Sequence, residues 1–271
     1  MDAPPLSADA LGTTRMLAQK SGAVGWMVFD NPERRNAVSL DMWAAIPRIL
    51  QAFEADPDIR VIALRGQGDR AFVSGADISQ FEAQRSSAAG VAEYERIAGL
   101  ASDALKAVVK PTVAVIRGWC IGGGVAIAIN CDLRFAAAGA RFGVPAGRLG
   151  LGYAMPGVKT LLDLVGPANT KEIFYTARHF TAEEALGMGL VNRVLPDAEL
   201  DAFAAAQFDT IAANAPLTLQ TLKRTVAELA RGHAADAGAI DALVKECFAS
   251  RDYAEGRRAF MEKRKPVFTG T

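Results

Sequence analysis

Cysteine and histidine are scarce in this 271-residue chain, with three and two copies respectively. Cys120, Cys131 and Cys247 are odd in number and lie in apolar or helical contexts, and no CxxC or Cys/His ligand spacing occurs. A disulfide framework and a structural zinc site are therefore not expected. Charge of one sign is not in excess either. With 30 Lys plus Arg against 30 Asp plus Glu, no global field favours nucleic acid or an anionic membrane. No apolar run reaches the roughly 18 residues of a membrane helix. The first residues carry no basic segment followed by an apolar stretch, so no secretory signal is expected and the cytoplasm is the expected location. GxGxxG, Walker loops and ligand clusters are absent, so no metal, nicotinamide or flavin is implied.

What is present is an ordinary globular composition, 51% hydrophobic and 22% charged, on a chain long enough for a large core. Its most informative stretch is residues 111–132. Pro111-Thr112-Val113-Ala114-Val115-Ile116 is an uncharged, β-branched run that reads as a buried strand. Gly122-Gly123-Gly124 follow, and then Ala, Ile and Val repeat to Asn130 as a buried helix. Glycines at a strand-to-helix junction admit two readings. They strip side chains from the point where a helix presents unpaired N–H groups, which can be aimed at an oxygen gaining charge. They also let a helix pack closely on a sheet.

In chain order, residues 1–14 read as a flexible tail rich in Pro, Ala, Ser and Asp. Residues 15–19 and 24–29 read as strands around a turn at 20–22. Ser39 is a suitable N-cap for a helix over 40–55, which has Pro47 inside it. A strand over 59–65, a strand-to-turn unit over 71–78 and an amphipathic helix over 90–109 follow. After the central strand and helix come a strand at 133–137 and a Gly/Pro-rich structured loop at 142–157. Short helices are expected at 158–165 and 169–176, a capping box at Thr181-Ala182-Glu183-Glu184 and a last strand at 191–194. Helices at 200–214, 216–231, 234–250 and 253–263 close the chain. The returning strand–turn–helix units predict a coiled stack of ββα turns over 15–197, with a helical region over 198–271 that packs on it or on a neighbouring chain.

An ordered set of motifs over about residues 15–268 resembles the enoyl-CoA hydratase/isomerase, or crotonase, family. It comprises Asn31-Pro32-Glu33-Arg34-Arg35-Asn36-Ala37, Phe72-Val73-Ser74-Gly75-Ala76-Asp77-Ile78, Lys110 to Gly118, the Gly122–Gly124 run with Cys131-Asp132, Thr181 to Ala185 with Gly189-Leu190-Val191, and Phe260 to Pro266. The resemblance implies an α/β fold, a ββα superhelix with a C-terminal helical trimerisation region, assembled as a homotrimer or homohexamer. It implies a coenzyme A thioester as substrate, its enolate oxygen held by the backbone N–H groups of Ala76 and Gly123. Two fixed donors in a dry site stabilise such an oxygen by about 3 kcal/mol each in comparable acyl-transfer sites. Carried over residue by residue, the coenzyme-binding positions are Arg34, Ala37, Ser74, Ala76, Asp77, Ile78, Gly122 and Gly123. Phe260 and Lys263 match a pair that reaches the coenzyme from an adjacent subunit.

The chain departs from the family at the two positions where hydratases carry glutamate. These hold Ala126 and Ala146. Methyl groups move no protons, so general acid–base catalysis by that pair is absent. Tyr153 and Arg148 are the remaining polar candidates on the following loop. Tyr153, with Leu149-Gly150 and the run Lys171 to Ala177, also resembles methylmalonyl-CoA decarboxylase members, although those carry histidine at the position of Ala76. The expected activity is an enoyl-CoA hydratase/isomerase-like enolate step with Tyr153 as proton donor or orienting group. Decarboxylation and a catalytically silent acyl-CoA-binding subunit are the alternatives. His179 and His233 read as surface residues, Cys120 as an inert apolar thiol, and Asp77 as a cap on the turn after Gly75.

Overall fold

The computed structural model describes residues 6–77 and 87–271. Two sheets organise it. One has six strands in the order β1 (Met16–Ser21), β2 (Val24–Phe29), β3 (Val61–Gly66), β5 (Thr112–Ile116), β7 (Leu133–Ala137) and β10 (Arg193–Leu195). The other has four: β4 (Ala71–Val73), β6 (Trp119–Ile121), β8 (Arg141–Gly143) and β9 (Phe180–Thr181). Among the described residues, the β1–β2 and β8–β9 strand pairs are antiparallel and the other strand pairs parallel. Successive strands alternate between the sheets, β3 then β4, β5 then β6, β7 then β8, and each such pair leads into a helix. This is the ββα spiral that the resemblance implies.

The strand sequences are apolar on both sides because both faces of the large sheet are covered. Ile62, Leu64, Ala114, Ile116 and Ala136 face the main core between the sheets and helices. Val61, Ala63, Val113, Val115 and Phe135 face the other way and pack against Leu200, Ala204 and Phe208 of a later helix. That helix is α8 (Leu200–Ala212). It follows α1 (Ala8–Leu11), α2 (Leu40–Ala55), α3 (Ala88–Ala107), α4 (Gly123–Ile129), α5 (Ala146–Leu149), α6 (Met155–Thr176) and α7 (Ala182–Gly187). The chain ends with α9 (Pro216–Leu229), α10 (Ala237–Ala249) and α11 (Arg251–Met261).

Several expectations are corrected. Within the stretch expected as a flexible tail, α1 is a helical turn capped by the Ser7 side chain, and Leu11 is buried in the core. Ser21 belongs to β1 rather than to the turn. Ser39 occupies the N-cap position of α2 with extended backbone, but its hydroxyl makes no capping bond. The loop expected at 142–157 contains the end of β8, α5 and the start of α6. The helices expected at 158–165 and 169–176 form one element broken at Gly166, where φ is +74°. The capping box at Thr181 and Glu184 is present in both directions.

Candidate active site

The site starts where β4 and β6 end side by side. After Val73 the chain turns through Gly75, whose φ is +122°. Val38 then pairs with the next residues as a short parallel bridge: its N–H donates to the Gly75 carbonyl (2.9 Å) and its carbonyl accepts from Asp77 N–H (3.0 Å). Both flanking bonds lie on the Val38 side, so the N–H of Ala76 points away from it. On the neighbouring strand, Gly122 has φ +53° and donates to the Gly143 carbonyl at 2.8 Å. Helix α4 starts at the next residue, Gly123, whose N–H is one of the donors a helix leaves without an internal partner.

A Cβ built on Gly123 would stand 3.8 Å from the nitrogen of Ala76 and 3.3 Å from Cζ2 of Trp43. A Cβ on Gly124 would stand 2.2 Å from the Val73 carbonyl oxygen. The two readings of the glycine run are thus realised at adjacent residues. Gly124 permits backbone-to-backbone packing of α4 on β4, and Gly123 keeps a side chain out of the space beside Ala76.

Trp43 forms a wall of that space. It lies on α2 with 3% exposure, and Pro47, four residues on, cannot donate to its carbonyl. Its indole N–H donates to the hydroxyl of Tyr94 on α3 at 3.0 Å. Neither residue was singled out by the sequence, because Trp43 reads as one apolar position of an amphipathic helix and Tyr94 as one half-buried position of another. Ala126 is half-buried on α4, and Ala146 is buried at the start of α5. Asn130 donates to the Ala126 carbonyl at 2.8 Å.

Asp77 is buried and pairs with Arg34 (3.1 Å) and Arg15 (3.6 Å), rather than serving simply as a turn cap. Arg34 remains half-exposed, so it can share its guanidinium with a second anion. Ser74 ties the same two loops together: its N–H donates to the Arg35 carbonyl and its hydroxyl to the Arg34 carbonyl. Asn36 has φ +56° and donates to the carbonyls of Gln67 and Ala71, while its own side-chain oxygen accepts from Asn31 N–H. Asn31 in turn donates to the Ala37 carbonyl. The buried side chains of Asn31 and Asn36 therefore fix the 31–37 motif and set Arg34 and Ala37 beside Ser74–Asp77. Ile78 lies outside the described residues.

Tyr153, between α5 and α6, is 43% exposed and meets Phe174 edge-on at 4.9 Å. Arg148 is exposed. Phe260 and Lys263 lie at the end of α11, Phe260 87% exposed and Lys263 with φ +53°. They are not brought to Ala76 and Gly123 through the packing of their own helix, which is against α10. His179 is exposed and meets Trp119 edge-on. Burial pushes both the Cys120 and Cys131 thiols up, Cys131 to about 12. Among the described residues no group of three His, Cys, Asp or Glu could hold a metal ion, and no helix is long and apolar enough to cross a membrane.

A family model described as enoyl-CoA hydratase/isomerase matches residues 19–271, and the chain belongs to that family. It is similar to the short-chain-enoyl-CoA hydratase of Clostridium acetobutylicum, 32% identical over 260 residues, covering 92% of this chain and 95% of that one. It is likewise similar to the crotonyl-CoA hydratase of Syntrophomonas wolfei, 32% identical over 93% of this chain and 97% of the relative. Among solved structures, the enoyl-CoA hydratase/carnithine racemase of Magnetospirillum magneticum superposes with a TM-score of 0.90 at 36% identity, over 96% of this chain and 97% of that one.

Proposed function

We propose that this acyl-CoA enzyme stabilises the enolate of a coenzyme A thioester between the backbone N–H groups of Ala76 and Gly123, without the paired-carboxylate chemistry of hydration. The observation that carries the reading is the 3.8 Å between the Ala76 nitrogen and the Cβ position on Gly123. Two N–H groups fixed by secondary structure rather than by flexible side chains need no rearrangement as charge develops on a thioester oxygen. Such donors act on the transition state more than on the ground state.

The alanines at 126 and 146 decide which enolate step follows. Neither can activate water or deliver a proton, so hydration is slow and an enolate formed by other means is favoured. Tyr153 is the proton donor or orienting group in this reading. Decarboxylation of a carboxylated acyl-CoA is a second reading that the alanine pair supports, because loss of carbon dioxide leaves the electron pair on the α-carbon with no base required.

The coenzyme is held along Arg34, Ala37, Ser74, Asp77, Ile78 and Gly122, with Phe260 and Lys263 supplied by a neighbouring copy in a homotrimer or homohexamer. Exposed Leu222, Val226, Leu229 and Phe248 on α9 and α10, and exposed Phe260 on α11, support such an assembly. The buried, reduced Cys120 and Cys131 suit a cytoplasmic location.

The test is hydration of crotonyl-CoA and decarboxylation of methylmalonyl-CoA by the purified protein, beside a Tyr153→Phe variant. Slow hydration is the expected result. Hydration at an ordinary hydratase rate overturns the reading, and tight coenzyme binding with no reaction on any thioester makes the chain a silent acyl-CoA-binding subunit.

A further inference from the structure

We propose that Tyr94 is a catalytic residue of this site, a proton carrier whose hydroxyl is set by the indole N–H of Trp43. The inference rests on the enolate reading above and assigns the proton transfer that Ala126 and Ala146 cannot perform. Three observations meet at one place. Trp43 Cζ2 stands 3.3 Å from the Cβ position on Gly123, so the indole borders the space beside the Ala76 and Gly123 nitrogens. Cζ2 is joined through Cε2 to Nε1, and Nε1 donates to the Tyr94 hydroxyl at 3.0 Å. The pair therefore extends from the cradle to a titratable oxygen. Tyr94 is half-buried and packs against the main core, so a titratable hydroxyl stands next to the indole that borders the cradle.

The direction of the hydrogen bond matters. Because the indole can only donate, the Tyr94 oxygen is the acceptor, and the phenolic proton is directed to another group. A donor aimed at the oxygen also stabilises the phenolate left when the proton departs. In the forward step the Tyr94 O–H bond breaks and its proton bonds to the enolate α-carbon. The enolate electron pair forms the new C–H bond while the thioester C=O is restored. The phenolate then takes a proton from water. In reverse, the phenolate removes an α-proton as negative charge develops between Ala76 and Gly123. Tyr153 stands on a different element, the segment between α5 and α6, so the two tyrosines can be tested separately.

The test is exchange of the α-protons of butyryl-CoA in deuterated water, followed by proton NMR, for the wild type and for Tyr94→Phe, Tyr153→Phe and Trp43→Phe. Circular dichroism and direct butyryl-CoA binding monitor folding and affinity. Tyr94→Phe is expected to bind butyryl-CoA as the wild type does and to slow exchange by about 100-fold or more. Trp43→Phe, which keeps an aromatic wall and removes the donor, is expected to move the rising limb of the pH–exchange profile to higher pH. Packing alone would not produce that shift. Exchange by Tyr94→Phe within roughly threefold of wild type overturns the assignment, and loss in Tyr153→Phe alone gives the role to Tyr153. Wild-type protein that binds butyryl-CoA but exchanges nothing overturns the enolate reading and the assignment together.

Discussion

The carboxylate of Asp77, with a side chain only 3% exposed, accepts a hydrogen bond of 3.1 Å from Arg34, whose side chain is 50% exposed. This contact spans 43 residues and ties the 31–37 motif to the turn that carries Ala76. The two partners are not equivalent. Asp77→Ala releases an arginine that water can solvate and should cost about 1.5–3 kcal/mol, the range for a hydrogen bond to a charged group. Arg34→Ala removes the 3.1 Å donor from a carboxylate that stays buried and should cost more. Urea unfolding of the two variants checks the order, and a larger loss for Asp77→Ala would contradict it.

Adjacent glycines should separate function from folding. Gly124→Ala forces a methyl to within 2.2 Å of the Val73 carbonyl oxygen, where backbone must move. A stability loss of about 1–3 kcal/mol is expected from such overpacking. The methyl of Gly123→Ala comes no nearer than 3.3 Å to Trp43, with the Gly75–Ala76 backbone beyond it. It should fold near normally and lose about 10²-fold or more in turnover, comparable to the loss of one oxyanion donor. Thermal melts and α-proton exchange, measured together, distinguish the two effects.

Glutamates at the alanine positions should restore hydration. Ala126 is half-buried and Ala146 buried. The double variant Ala126→Glu with Ala146→Glu should therefore lose stability while gaining crotonyl-CoA hydration, with general acid–base catalysis contributing about 10²-fold or more. An absorbance assay of the conjugated thioester measures it. An unchanged rate in a folded double variant would show that these positions do not face the acyl chain.

Cys120 and Cys131 should be unreactive in the folded protein. Both are buried, and burial raises each thiol well above its ordinary value, which leaves almost no thiolate at neutral pH. Titration with an aromatic disulfide reagent should label neither until denaturant is added. Mass spectrometry of the labelled peptides identifies the sites.

The C-terminal helices should loosen in acid. The Glu228 carboxylate lies below its ordinary value of 4.5, chiefly because it accepts from Asp236 N–H (3.0 Å), with Arg231 adding to the effect. Arg264 and Arg258 depress Glu255 in the same direction. A carboxylate with a lowered folded value stabilises fully above the unfolded value, and that stability is lost as pH falls below it toward the folded value. Stability should therefore decline below about pH 4.5, and Glu228→Gln should flatten part of that decline. Thermal melts between neutral pH and about pH 3 provide the measurement.

Features that depend on short-range pattern are legible in the residues alone. The 40–55 helix, the 133–137 strand and the Thr181 capping box stand where local periodicity and capping chemistry put them. The ordered motifs were enough for the family, and the missing carboxylates at 126 and 146 were legible without coordinates. The three-residue strands β6 and β8 were not, because a strand that short has no period, and only pairing with neighbours defines it. Nor was α1, since four residues carry too little helical signal and the burial of Leu11 against the core is what fixes them. The site divides in the same way. Glycines at 122–124 announced a backbone device, but tertiary packing alone decided that Gly124 serves close contact and Gly123 opens toward Ala76. It also brought Trp43 and Tyr94 together across 51 residues. Side chains on two amphipathic helices meet only when those helices cross, and the crossing is fixed by the core that they jointly cover.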